Sequence, residues 1–170
     1  MKRLLIALLL TASSTAVSAA DKSCLADKYD GYIDASLAWY QDLAELTTTQ
    51  YPELAEVSDW FLEGRKHHFE LNRTAVHYYL DNEPSKVATE QSVESWLKLS
   101  QQDVKQLSER DDELGKIAKA TFSDRQSKPH PKNYELRSAF ADLLSHPKQI
   151  DTILQKYNQA IADVTKVQCD

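Results

Sequence analysis

Residues 52–84 read PELAEVSDWFLEGRKHHFELNRTAVHYYLDNEP, a stretch bracketed by Pro52 and Pro84 with one interior glycine, Gly64. Positions spaced by three and four read Leu54, Ser58, Phe61, Arg65, His68, Asn72, Ala75 and Tyr79, which is one face of a helix. Pro52 suits a first helical turn, where its missing N–H costs little, and Asp81-Asn82-Glu83-Pro84 supplies a turn at the far end. The spacing predicts a helix over 53–81. A face of this kind is stable only when buried against other helices, so the stretch decides for an all-helical protein.

The flanking sequence carries the same pattern. Tyr29, Ile33, Ser36, Tyr40 and Leu43 form one stripe, and Val93, Leu97, Ser100, Val104, Leu107 and Leu114 another. Glycine occurs only at positions 31, 64 and 115, and the five prolines, at 52, 84, 129, 131 and 147, fall between segments of helix-forming residues. Helices are expected over 23–49, 53–81, 86–122, 133–145 and 148–168. Ser123 to Asn133, with Pro129 and Pro131, is the one long loop of this reading.

At the chain start, Lys2 and Arg3 precede an apolar run from Leu4 to Leu10, followed by small residues through Val17-Ser18-Ala19-Ala20. That is the pattern of a bacterial secretory signal, too short to span a bilayer and ending in a small-residue cleavage site at Ala19 or Ala20. Residues 1–20 are thus expected to be removed, leaving 21–170 as a single helical domain in the periplasm or outside the cell. Loss of Lys2 and Arg3 takes the formal charge from -6 to -8, which argues against nucleic acid as a partner. No second hydrophobic segment suggests membrane insertion.

Cys24 and Cys169 are the only cysteines, and in an oxidising compartment they are each other's intramolecular partner. Bridging requires Cα atoms within about 7 Å, so both chain ends must lie at one end of the molecule. The expected architecture is an antiparallel up-and-down bundle of four arms. Its five helices satisfy that count only if 133–145 and 148–168 form one arm kinked at Pro147.

Three consecutive positions on the inner face of the second helix are polar: Arg65, His68 and Asn72. Counting from the turns brings Tyr29, Ser36 and Tyr40 of the first helix to the same depth, with Ser100 from the third and Tyr157 from the last. No acidic residue falls on the expected inner faces at that level, and Asp111 lies about 15 Å away along the axis. A guanidinium ringed by hydroxyl and amide donors suits a small anion, and a buried polar network fixing helix register is the alternative.

The opposite face carries Glu63, His67, Glu70, Thr74, His77 and Asp81. Its pairs Glu63/His67 and His77/Asp81 stand four apart, a spacing that serves surface ion pairs and also places two metal ligands on adjacent turns. One straight helix cannot close a tetrahedral site, and His130 and His146 add no matching motif, so no metal or other cofactor is expected. Heme attachment, phosphate-loop and nucleophile-elbow motifs do not occur.

Leu46-Thr47-Thr48-Thr49-Gln50 resembles the Leu-Thr-x-x-Gln signature of the small helical periplasmic chaperones of the Spy and CpxP type. The match spans five residues, and that family carries the motif twice where this chain has it once, so the resemblance assigns no family. The function expected from the sequence is that of an exported, non-enzymatic helical protein acting through protein contact, as an inhibitor, an immunity protein or a stress chaperone. Its partner would be another exported protein. The alternatives are a small-anion-binding or catalytic bundle centred on Arg65, His68 and Asn72, and a metal or small-ligand carrier.

Overall fold

A computed structural model describes residues 19–169. The expected secretory signal lies outside the described residues, apart from Ala19 and Ala20. Six helices follow in order: α1 (Ala19–Gln50), α2 (Ala55–Asn82), α3 (Gln101–Ser108), α4 (Glu113–Gln126), α5 (Asn133–Ser145) and α6 (Pro147–Lys166). No strand occurs among the described residues.

Between α1 and α2 the chain turns through a short 3-10 segment, Pro52–Leu54, whose proline occupies the first turn as its fixed φ favours. The two long helices then run antiparallel. Lys22 reaches Asp81 at 3.8 Å near one end, and Arg73 of α2 reaches Asp30 at 3.4 Å and Asp34 at 2.5 Å on α1. The inner faces are buried for the most part, with Tyr40, Phe61, Arg65 and His68 half-buried. Tyr29, Ile33, Ser36 and Leu43 are buried on α1, as are Ser58, Asn72, Ala75 and Tyr79 on α2.

The third expected helix, 86–122, is not one helix, and the count of helices is six rather than five. Pro84–Lys86 and Val93–Ser95 are single 3-10 turns, and regular helix begins only at Gln101. Five serine and threonine residues in 85–100 offer the backbone local partners that compete with a helix. Trp96 pins this segment: its carbonyl accepts from Ala88 N–H at 2.9 Å, its indole N–H donates to the Gln91 carbonyl at 3.0 Å, and its ring stacks on Tyr29 at 5.9 Å. The apolar residues of the expected stripe are buried all the same, Val93 from the second 3-10 turn, Leu97 from irregular chain, and Val104, Leu107 and Leu114 from helices.

Ser100 starts α3 through a reciprocal capping box, its hydroxyl accepting from Asp103 N–H while the Asp103 carboxylate accepts from Ser100 N–H. Asp112 caps α4 by accepting from Gly115 N–H at 2.9 Å. A Cβ on Gly115 would meet the Arg110 carbonyl oxygen at a separation below any real contact, so only glycine lets the chain double back here. Helix α4 then descends along α2, with Tyr78 bonded to Arg110 above its start and His67 facing Asp124 near its end.

The last arm also differs from expectation. His146-Pro147 separates two helices, but they do not continue one another. Helix α5 lies across the turn end of the α1/α2 pair, with Leu136 and Ala139 packed on Leu54 and Val57 and with Leu143 on Leu43. Helix α6 then climbs antiparallel to α1, marked by Gln50 to Gln149 at 3.2 Å, Lys156 to Asp42 at 2.7 Å and Lys28 to the Val167 carbonyl at 2.7 Å. At the top Cys24 and Cys169 are bonded, with Cα atoms 5.6 Å apart. No described helix is long and apolar enough to cross a membrane.

Candidate functional site

Arg65, His68 and Asn72 come together, as the spacing on α2 predicts. The Arg65 guanidinium carbon stands 5.3 Å from the Phe61 ring centre and 5.7 Å from that of Tyr40, so an aromatic floor shared by α1 and α2 supports the cation. Its Nε is buried without a hydrogen-bond partner. One turn on, the His68 ring packs on Phe69 at 5.2 Å and lies 3.4 Å from the Asn72 amide nitrogen, while Asn72 Oδ1 is buried and unpartnered. Asn72 is 8% exposed.

Sequence reasoning missed Arg125. It comes from the last turn of α4, 60 residues beyond Arg65 in the chain, and donates to the Gln101 side chain at 3.5 Å. Its influence is visible on His68. Burial, then Arg65, then Arg125 push the His68 imidazole down from its ordinary value to about 4. Burial and Arg65 likewise lower Arg125.

The hydroxyl groups divide. Ser36, Tyr40 and Tyr157 share one neighbourhood. Burial raises the phenols of Tyr32 and Tyr157, and hydrogen bonding with Ser36 draws each part of the way back. Tyr32 and Glu94 join this group without having been expected, Glu94 from the Val93–Ser95 3-10 turn within the stretch expected to be one long helix. Tyr29 does not belong: it is 1% exposed, stacked on Trp96, and part of the apolar core. Ser100 does not belong either, because its hydroxyl is committed to the α3 cap.

The outer face of α2 carries ion pairs. His67 is held between Glu63 at 3.2 Å and Asp124 at 2.7 Å, with the two carboxylates on opposite ring nitrogens, and Thr121 donates to the His67 carbonyl at 2.9 Å. The expected His77/Asp81 pair is replaced by His77 with Asp30 at 2.9 Å and Lys22 with Asp81 at 3.8 Å. A carboxylate on each nitrogen makes a clamp between helices, whereas a metal would need a nitrogen lone pair free. Among the described residues no three His, Cys, Asp or Glu side chains are grouped to hold a metal. Leu46 to Gln50 reads structurally as the end of α1, with Thr47 donating to the Leu43 carbonyl and Thr49 to that of Glu45.

The low value of His68 links the site to stability. The folded protein binds the proton only near pH 4, whereas the unfolded chain binds it near 6.5. The unfolded state therefore holds more protons between these values, and stability falls as pH drops through this window. In chloride buffers, unfolding free energy should decline by up to about 2 kcal/mol from pH 7 to pH 5, with partial exposure of the ring reducing the figure. Urea titrations of wild-type and His68→Gln protein check this, since the variant should lose that part of the pH dependence.

The chain matches no protein-family model, no curated protein and no solved structure.

Proposed function

We propose that this chain is an exported, single-domain helical binding protein, four-armed about α1, α2, α4 and α6, that works by contact with another exported protein rather than by catalysis. An inhibitor, an immunity protein or a stress chaperone has this character. Support for export comes from the Lys2 to Ala20 pattern together with a bridge between the only two cysteines.

The observation that carries the reading is Tyr134. Its side chain opens α5 at 79% exposure beside a cleft of about 530 Å3 floored by Tyr51, Leu54 and Ala139 and edged by Lys132 and Asp142. A large aromatic left in water at the rim of an apolar cleft gains most when a partner desolvates it. Trp60, 39% exposed and packed on His130 at 5.8 Å, stands at the same end of the molecule. Meanwhile His67 and His77 are engaged by carboxylates of other helices, which suits architecture better than proton transfer.

Tagged protein recovered from the exported compartment should carry one stoichiometric protein partner. Tyr134→Asp should lower that recovery by at least tenfold at an unchanged melting temperature, because an exposed side chain contributes little to folding. Absence of any stoichiometric partner, or equal recovery on the variant, overturns the reading.

A further inference from the structure

The arginines of this acidic chain are not treated alike. Arg73 lies within 3.4 Å of Asp30, Asp34 and Glu70, and Arg110 is gripped by Asp112 at 2.5 Å. Arg65 and Arg125 make no ion pair among the described residues, although the chain has 26 acidic groups to 20 basic ones. Instead both guanidinium groups act electrostatically on one histidine, His68. A cation in the last turn of α4 complements the helix dipole, which accounts for Arg125 alone but not for a second guanidinium placed beside it.

Unmatched like charges repel, and a partly desolvated guanidinium with an idle N–H loses hydration without recompense. Both defects are removed by one species, an anion. We propose that Arg65, His68, Asn72 and Arg125 bind the oxyanion group of a small ligand, a sulfate-like or phosphoryl dianion or the carboxylate of an organic acid. The site lies between α2 and the final turn of α4. Arg65 offers a planar fork, the geometry that fits a two-oxygen edge, while its buried Nε leaves the outer guanidinium nitrogens to meet the ligand. Arg125, on the exposed side, marks the entrance. The Tyr40 and Phe61 rings beneath Arg65 offer an apolar surface beside the charge, against which the ring of an aromatic acid can lie.

Binding is coupled to a proton. The charged groups acting on His68 are Arg65 from its own helix and Arg125 from α4; α1 contributes the neutral Tyr40 beside Arg65, and α3 contributes the neutral Gln101 beside Arg125. An anion offsets the repulsion of both guanidinium groups, so the imidazolium becomes acceptable and adds a donor. Affinity consequently rises as pH falls from 7 towards 5. This site is independent of the Tyr134 surface, and either can fail without the other.

NMR titration of the five histidine rings, in sodium sulfate and in sodium chloride at matched ionic strength, tests the site with a probe whose own charge stays constant over this pH range. The expected result is an upward shift of the His68 midpoint by a unit or more in sulfate alone, with His77 and His146 unmoved relative to chloride. Calorimetry with sulfate, acetate and benzoate separates the ligand sources. Sulfate strongest identifies a phosphoryl-like group, and benzoate exceeding acetate by tenfold or more identifies an aromatic acid. Arg125→Gln, an exposed change that leaves folding intact, should weaken binding at least tenfold. Arg65→Met should abolish it at an equal or higher melting temperature. A His68 midpoint identical in sulfate and chloride, with no heat from any of the three anions at millimolar concentration, overturns the proposal.

Discussion

Reducing the Cys24–Cys169 bridge, or replacing both cysteines by serine, is expected to lower stability by about 2–5 kcal/mol and the melting temperature by roughly 10 °C. The bridge closes a sequence separation of 145, for which the chain-entropy model gives about 5 kcal/mol. Strain and residual order in the unfolded chain reduce that figure. The loss should be local first, because α6 depends on the bridge more than any other helix. Ile150 is its one buried residue, and beyond it α6 is held along α1 by partly exposed contacts such as Tyr157 on Trp39 at 5.5 Å. Hydrogen exchange on reduced protein should show protection falling first between 155 and 168, with α2 and α4 little changed. Equal melting temperatures with and without reductant would contradict this.

Trp96→Ala should cost about 3–5 kcal/mol, the usual cost of emptying a buried aromatic site. Trp96 is 2% exposed, stacks on Tyr29, and holds the 87–96 loop through its backbone carbonyl and indole N–H. Because no regular helix orders that loop, the ring is its main attachment. Loosening of the loop should also release Val87 and Val93 from the core. Trp96→Phe keeps a stacking ring but loses the indole bond and part of the buried ring volume, so a smaller cost of about 1–2 kcal/mol is expected. Urea unfolding of both variants checks the pair. Wild-type stability for Trp96→Ala would mean that the loop is not part of the core.

Two features were legible in the chain, one through spacing and one through elimination. The inner face of α2 needed only the repeat of three and four, and the bridge needed only two cysteines in a chain read as exported. Helix propensity failed over 86–100 because Val93 and Leu97 are spaced for either a helical face or a coiled segment that dips twice into the same groove. Signals for the correct break existed in the Ser100-x-x-Asp103 box and in Asp112 ahead of Gly115. The core of the candidate site was visible because Arg65, His68 and Asn72 share a helix. Arg125 and Glu94 were not, because their approach depends on how α4 and the loop fold back. His77 shows the same limit: Asp81, four residues away, was the only carboxylate that local spacing suggested, and the actual partner, Asp30, comes from another helix.

Joining the first helix to the penultimate residue also changes how the molecule bears force. A pull on the two chain ends passes through one sulfur–sulfur bond between residues 24 and 169, and the helices between them carry none of the load. While that bond lasts the chain between residues 24 and 169 cannot be drawn out. Once it is cut, roughly 500 Å of chain becomes available to stretching, so the oxidation state alone decides whether the fold behaves as a closed ring or an extensible string.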